Sequence, residues 1–269
     1  MIDLVDPRVT GEPISLSALE FDVLWEHLKL GQMPLPVRVP SPGRTYDERA
    51  HLERQAWAEV ERRGLGRSVD LDPRLEHYLG LLAHPQREVD GRTWVGRGVR
   101  FLAAAADDYA VLAVLVDGHL TLRPVSAIGL ASVAVGVLPV MPAGEGQSVT
   151  LRTDDFEAAA RGAGGAQAGF ENALRTRGVR TDDVDALKTM IKNVIGTGNF
   201  GAAARNRLNR RYRADRVVSF FDTEDGRYVQ IRRASMDGSM WTTISPADSR
   251  KLSHHIDELL GEVVREAEG

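Results

Sequence analysis

Several pairs of acidic side chains have types and spacings that could support acid–base catalysis. Adjacent carboxylates can act as general acid and general base, and Asp107-Asp108 follows an apolar segment. Acidic pairs at 154–155 and 182–183 each follow a threonine, where a helix N-terminus favours negative charge. These contexts are typical of turns and first helical turns, so we predict structural roles. An enzyme that uses Asp107, Asp108 and a histidine is the competing hypothesis.

Two further motifs could hold a cofactor or a metal ion. The segment 196–201, GTGNFG, matches the glycine pattern of dinucleotide-binding loops, which requires a strand before it and a helix after it. Here a helical pattern precedes and a strand pattern follows, so we interpret the glycines as a helix stop and a strand start. His254 and His255 are adjacent, so they would point about 100° apart on a helix. We therefore predict no cofactor, no metal ion and no enzymatic activity.

The composition excludes or disfavours several classes of protein. The chain has 269 residues, a net charge of −4 and no cysteine, which excludes disulfides and cysteine-ligated zinc. The net negative charge of the chain argues against a nucleic-acid-binding protein. The N-terminus lacks the pattern of a signal peptide, and the uncharged stretch 124–144 contains three prolines and three glycines. We expect that stretch to form a short buried helix and a linker, not a membrane span.

One strongly basic segment leaves an alternative open. Residues 205–213 read RNRLNRRYR and could contact phosphate groups, with Tyr212 as a stacking face. The ordinary interpretation is a solvated hairpin loop or a patch for an acidic partner. The alternative function is thus a non-catalytic module for nucleic-acid or protein interaction that uses the basic loop 205–213.

The predicted elements occur in the same order twice. Each half shows a strand, three helices, four strands and a helix. Ser17 with Glu20 has the spacing of a capping box, and Ser245 with Pro246 at the first helical position predicts the start of the last helix. The predicted strands are 13–16, 87–95, 99–105, 109–116 and 119–125, then 149–151, 198–205, 216–222, 228–233 and 240–244. The middle helices of the second half are predicted at 166–175 and 181–195.

This order predicts the fold class. Strands joined by hairpins favour antiparallel pairing, and two such halves would pack about a pseudo-two-fold axis. We expect an α/β (α+β) protein with a central antiparallel sheet flanked by helical bundles. It would form a single domain, 1–269, with pseudo-repeat halves of about 1–141 and 147–269.

Short motifs follow one another over almost the whole chain: ALEFDVLWEHL (18–28), LP (35–36), PSPG (40–43), FGAAAR (200–205), FDT (221–223), GRY (226–228) and ISPAD (244–248). Their order resembles the EspG family, the cytosolic chaperones of actinobacterial type VII (ESX) secretion. The resemblance implies binding to the PPE subunit of a PE–PPE heterodimer, which keeps this helical client soluble and directs it to its cognate system. It also implies a cytoplasmic location without membrane insertion, and a homodimer is a candidate state of the free protein.

The resemblance also suggests where the partner would bind. Interfaces in the family use the central sheet and its loops, especially the loop between the second and third strands. Here that loop contains Trp94, Val95 and Arg97, and tryptophan and arginine are common interface anchors. The equivalent loop of the second half adds Arg210, Arg211 and Tyr212 as weaker candidates.

Overall fold

The computed structural model describes residues 11–162 and 167–269, and its first half follows the predicted order closely. Ser17 is an N-cap residue with the expected capping box to Glu20, and Thr45 forms a second capping box with Glu48. Asp72 caps the third helix, which begins at Pro73. The elements of this half are β1 (Ile14–Ser17), α1 (Ala18–His27), α2 (Tyr46–Arg62), β2 (Gly66–Arg67), β3 (Asp70–Leu71), α3 (Pro73–Ala83), β4 (Arg87–Trp94), β5 (Gly98–Ala106), β6 (Tyr109–Val116), β7 (His119–Ser126) and α4 (Leu130–Val135).

The second half repeats that order, but it departs from prediction at two helix boundaries and in the additional strand β10. Its elements are β8 (Val149–Arg152), α5 (Thr153–Gly162), α6 (Gln167–Thr176), α7 (Thr181–Met190), β9 (Val194–Arg205), β10 (Arg211–Arg213), β11 (Val218–Thr223), β12 (Gly226–Ala234), β13 (Met240–Pro246) and α8 (Ser249–Glu268). The predicted extension of the helix to 195 is wrong, because Asn193 adopts a positive φ of 53° and the chain turns into β9. The predicted cap at Ser245 is also wrong. Ser245 and Pro246 end β13, and the Asp248 carboxylate caps α8 by accepting from the Lys251 amide.

One antiparallel sheet joins both halves, and its strand order is symmetrical about the centre. The order is β1-β7-β6-β5-β4-β9-β11-β12-β13-β8, with β10 paired beside β9. At the centre, Arg87 lies opposite Ala204 and Trp94 lies opposite Thr197. The first strand of each half therefore forms an edge, and β4 and β9 form the seam between the halves. This arrangement confirms the predicted antiparallel sheet, whereas the boundaries of the halves at 141 and 147 stay a prediction.

Side chains alternate between the two faces of the sheet, so it supports two separate helical layers. On one face, α4 and α8 pack against the core that includes Val89, Phe200 and Val229. On the other face, α1 and α3 pack at one side around Leu102 and Leu122. At the other side of that same face, α5, α6 and α7 pack around a core with Val149, Leu151 and Tyr228. The two helical groups leave the centre of their face between them.

A buried ion pair fastens the connection between the halves to the sheet. The Arg227 side chain is fully buried, and its Nε and Nη2 donate to the Asp222 carboxylate at 2.7 and 2.9 Å. Nη2 also donates to the Pro139 carbonyl at 3.0 Å, and the guanidinium lies 5.1 Å from the centre of the Phe220 ring. Since a buried carboxylate requires a partner, this single arginine holds both strand β11 and the connection after α4.

The uncharged stretch 124–144 contains the short helix α4 and no longer helix. Pro124 lies within β7, and α4 ends at Val135. Among the described residues, no helix has the length and apolar character needed to cross a bilayer.

Candidate functional site

A groove runs along the centre of the sheet, between the two helical groups that share a face. It has a volume of about 560 Å³. Its floor is formed by β4 and β9, with Asp90 and Gly201 directly paired. The 3-10 turn Leu35–Val37 borders it on one side. We call this feature the central groove.

Strand β4 places every second side chain on the floor of the central groove. Successive residues of a strand point to opposite faces, and Val89 belongs to the core under α4 and α8. Glu88, Asp90, Arg92 and Trp94 therefore share the groove face. The row begins with two buried carboxylates and ends with an exposed arginine and an exposed tryptophan.

Two arginines from β10 cross over β9 and neutralise the carboxylates. Arg211 forms an ion pair with Glu88, and Arg213 donates to both carboxylate oxygens of Asp90 at 2.5 and 3.0 Å. The hydrogen bonds from Arg213 to Asp90 raise the pKa of the guanidinium. Gly201 makes this crossing possible, because a Cβ at that position would lie 2.4 Å from Nη2 of Arg213.

The middle of the groove face carries arginines that have no carboxylate partner among the described residues. Arg92 lies directly opposite Arg100 in the β4–β5 register. Arg100 donates to the Arg38 carbonyl at 3.0 Å. Burial lowers the pKa of Arg100, and the positive charge of Arg92 lowers that pKa further. Like charges directly opposite each other destabilise a strand pair, so this arrangement is not explained by the stability of the sheet.

Beyond Arg92, outside the lining of the groove, the sheet becomes apolar and exposed, and we call this stretch the apolar end of the groove. Trp94 is 56% exposed, and Val194 and Ile195 at the start of β9 are 45% and 47% exposed. Trp94 pairs with Thr197, and the start of β9 is irregular, because Asp222 pairs with Gly196 and Thr223 with Val194, which leaves Ile195 unpaired between them. The Val95 side chain packs against the core on the opposite face, and Arg97 is exposed in the turn. Trp94 is thus an exposed surface residue and not a core residue.

The second predicted loop divides between the two faces of the sheet. Residues 211–213 form strand β10, so the expectation of a solvated hairpin loop over 205–213 is wrong for them. Arg211 reaches the central groove, whereas Tyr212 packs against α8 on the opposite face. Arg210 lies over the Tyr212 ring at 5.3 Å. Six residues of strand separate Glu88 from Trp94, so Arg211 lies about 20 Å from the apolar end.

The residues singled out for chemistry do not assemble into a catalytic or metal centre. Asp107 forms a turn with a φ of 52° and accepts from the Gln86 side chain. The second cleft, which Asp107 and Asp108 border, has no histidine in its lining among the described residues. The described part of the chain contains no group of three or more acidic or histidine residues that could hold a metal ion.

The remaining two motifs lie within regular structure. The glycine motif 196–201 lies inside β9, where no helix follows it. His254 and His255 lie on α8 and both contact Glu258, at 3.6 and 3.0 Å. Neither motif therefore offers the backbone arrangement that a dinucleotide or a zinc ion requires.

Sequence reasoning missed several residues of the groove. Arg92 and Arg100 are unremarkable in the sequence, and only the pairing of β4 with β5 brings them together. Alternation along 88–94 was a usable signal, since charged side chains recur at every second position before Trp94. Ile195 was assigned to a helix and so was not considered as a surface residue.

Comparison with known proteins agrees with this architecture. The type VII secretion system chaperone EspG5 of Mycobacterium tuberculosis, solved in complex with a PE25–PPE41 dimer, matches with a TM-score of 0.74 at 15% sequence identity. The match covers 93% of this chain and 96% of the matched chain. No curated protein shows significant similarity. The model of the EspG family matches residues 17–258, and because this is most of the chain, the chain belongs to the EspG family.

Proposed function

We propose that this chain is a cytoplasmic, non-enzymatic chaperone of a type VII secretion system, and that its clients are PE–PPE heterodimers or related helical substrates. The observation that carries this proposal is the exposed apolar end of the central groove. Family membership and the EspG5 fold, solved with a PE25–PPE41 dimer, support the choice of client.

The chemistry of the groove suits the covering of an apolar helix tip. Trp94, Val194 and Ile195 leave about half of their surfaces in solvent, so a partner can bury apolar area there. Burial stabilises a complex by roughly 25 cal/mol per Å² of apolar surface, and tryptophan is a frequent anchor of interfaces. An uncovered apolar tip on the client would promote aggregation, and a chaperone that covers it needs no catalytic group.

Co-expression with the PE–PPE pair from the same locus tests the proposal. Wild-type protein should co-purify with the pair and increase its soluble fraction. Trp94→Glu should abolish the complex while the circular dichroism spectrum stays unchanged, because the side chain is exposed in the free protein. The matched control is Trp241→Glu, which alters a 37% exposed tryptophan on β13 and should leave the complex intact.

Two results would contradict the proposal. If the wild-type protein neither co-purifies with the pair nor raises its solubility, the chaperone function is wrong for that client. If Trp94→Glu and Trp241→Glu bind the client equally well, the apolar end of the groove is not the binding surface. Size-exclusion chromatography of the free protein tests separately whether it forms a homodimer.

A further inference from the structure

The central groove carries an excess of positive charge within an acidic protein. Its lining contains five arginines and two carboxylates, whereas the whole chain has a net charge of −4. Both carboxylates already have partners, since Glu88 pairs with Arg211 and Asp90 pairs with Arg213. The positive charge of the remaining arginines is therefore not neutralised within the described residues.

Of the three remaining arginines of the lining, Arg38 and Arg92 lie next to Arg100, which is on the groove face but outside the lining. Arg92 and Arg100 face each other across two strands, and Arg38 lies beside them through its carbonyl. None of Arg38, Arg92 and Arg100 has an ion pair among the described residues. Arg38 makes only a long hydrogen bond, 3.5 Å, to the Met33 carbonyl. Arginines placed together without carboxylates are suited to bind an anionic group, since each guanidinium can donate two parallel hydrogen bonds to a carboxylate.

We propose that the basic cluster of Arg38, Arg92 and Arg100 binds an acidic segment of a partner protein, whose apolar neighbours contact Trp94. The choice of partner rests on the proposed function, because the acidic segment would belong to the helical client. The basic cluster and the apolar end lie on the same face of the sheet. A segment that fits both must therefore carry carboxylates and apolar side chains.

The groove favours an acidic protein segment over a nucleic acid. Among the described residues, the groove lining contains no aromatic side chain and Trp94 beyond it provides a single stacking face, whereas single-strand binding relies on successive stacked bases. The buried carboxylates of Glu88 and Asp90 lie on the floor, where a continuous phosphate backbone would meet them. The neighbouring wall is apolar, with Met33 and Leu35.

Fluorescence anisotropy with a labelled hexaglutamate peptide tests the basic cluster without requiring the natural client. Wild-type protein should bind hexaglutamate more tightly than hexalysine or an oligothymidylate of equal charge. Arg92→Gln and Arg100→Gln should each weaken binding roughly tenfold, since a hydrogen bond to a charged group contributes about 1.4 kcal/mol or more. The matched control is Arg54→Gln, an exposed arginine of α2 that should leave binding unchanged.

The stability of the free Arg92→Gln variant is a second measurement, and it distinguishes a binding role of this arginine from a structural role. Removal of Arg92, which makes no ion pair among the described residues, relieves a like-charge pair with Arg100, so the urea midpoint of Arg92→Gln should stay equal or rise. A lower midpoint for Arg92→Gln would show that this arginine stabilises the sheet and would overturn the inference. Equal hexaglutamate affinity for Arg92→Gln and Arg54→Gln, or tighter binding of oligothymidylate than hexaglutamate, would also overturn it.

The same variants separate this inference from the proposed function. If the PE–PPE pair co-purifies equally with wild type, Arg92→Gln and Arg100→Gln, the basic cluster has no role in client binding and the chaperone function stands. If hexaglutamate binds through the arginines but wild type captures no PE–PPE pair, the proposed client is wrong and the basic cluster stands as an acidic-peptide site.

Discussion

Replacement of Arg227 by methionine should cost about 3–5 kcal/mol of the free energy of unfolding, the usual loss when one partner of a buried ion pair is removed. The Asp222 side chain is only 4% exposed, so its carboxylate would lose both donors and could not reach water. The Pro139 carbonyl would lose its donor as well. Since domains are stable by about 5–15 kcal/mol, this change removes a large part of the total. Equilibrium urea unfolding measures it, provided that the slope with denaturant is unchanged.

A double-variant cycle measures the coupling between Arg227 and Asp222 and so tests this reasoning. Asp222→Leu alone leaves the arginine charge buried and should be about as destabilising as Arg227→Met. The double variant replaces an ion pair by apolar side chains and should lose less than the sum of the single losses by about 2 kcal/mol or more. The control Arg67→Met alters an exposed arginine of β2 and should change stability by no more than about 0.5 kcal/mol. A loss below about 1 kcal/mol for Arg227→Met, or strictly additive losses, would refute the argument.

Two further predictions concern the arginine crossing and the last helix. Gly201→Ala should displace the Arg213 guanidinium and leave Asp90 without its donors. The free energy of unfolding, measured in urea, should fall by about 1–3 kcal/mol. The control Gly98→Ala has open space around its Cβ, so its stability should be nearly unchanged. Burial lowers the pKa of His255, so the unfolded chain takes up the proton first, and stability should fall as the pH drops through about 6.5. His255→Gln should flatten this dependence, and identical pH profiles for variant and wild type would contradict the assignment.

The local elements could be predicted because local chemistry determines them. The capping box at Ser17 has the expected geometry, because the Ser17 hydroxyl accepts from the Glu20 amide and the Glu20 carboxylate accepts from the Ser17 amide. Ser245 and Pro246 misled the prediction because a Ser-Pro pair suits a helix start as well as a strand end. The helix begins after Asp248 and not at Ser245, because the Asp248 carboxylate accepts a hydrogen bond from the Lys251 amide.

The candidate site could be predicted only in part, because it depends on contacts between distant segments. The segment 94–98 was predicted as the loop between the second and third strands, but Trp94 is the last residue of β4 and only residues 95–97 form the turn. The short strand β10 was missed because its charges resemble those of a solvated loop. Those charges are satisfied by Glu88 and Asp90, which are 123 positions away from Arg211 and Arg213, and no local pattern contains that information.

The symmetrical strand order has a consequence for the order of events during synthesis. Until β9 emerges, β4 is a long unpaired edge, and its partners in β9 lie more than a hundred positions later in the chain. At typical translation rates of about 5–20 residues per second, that edge stays open for roughly 5–20 s. Unpaired edges invite association with other chains. The nascent first half is therefore itself prone to aggregation, and it requires protection before the finished protein can bind anything in its groove.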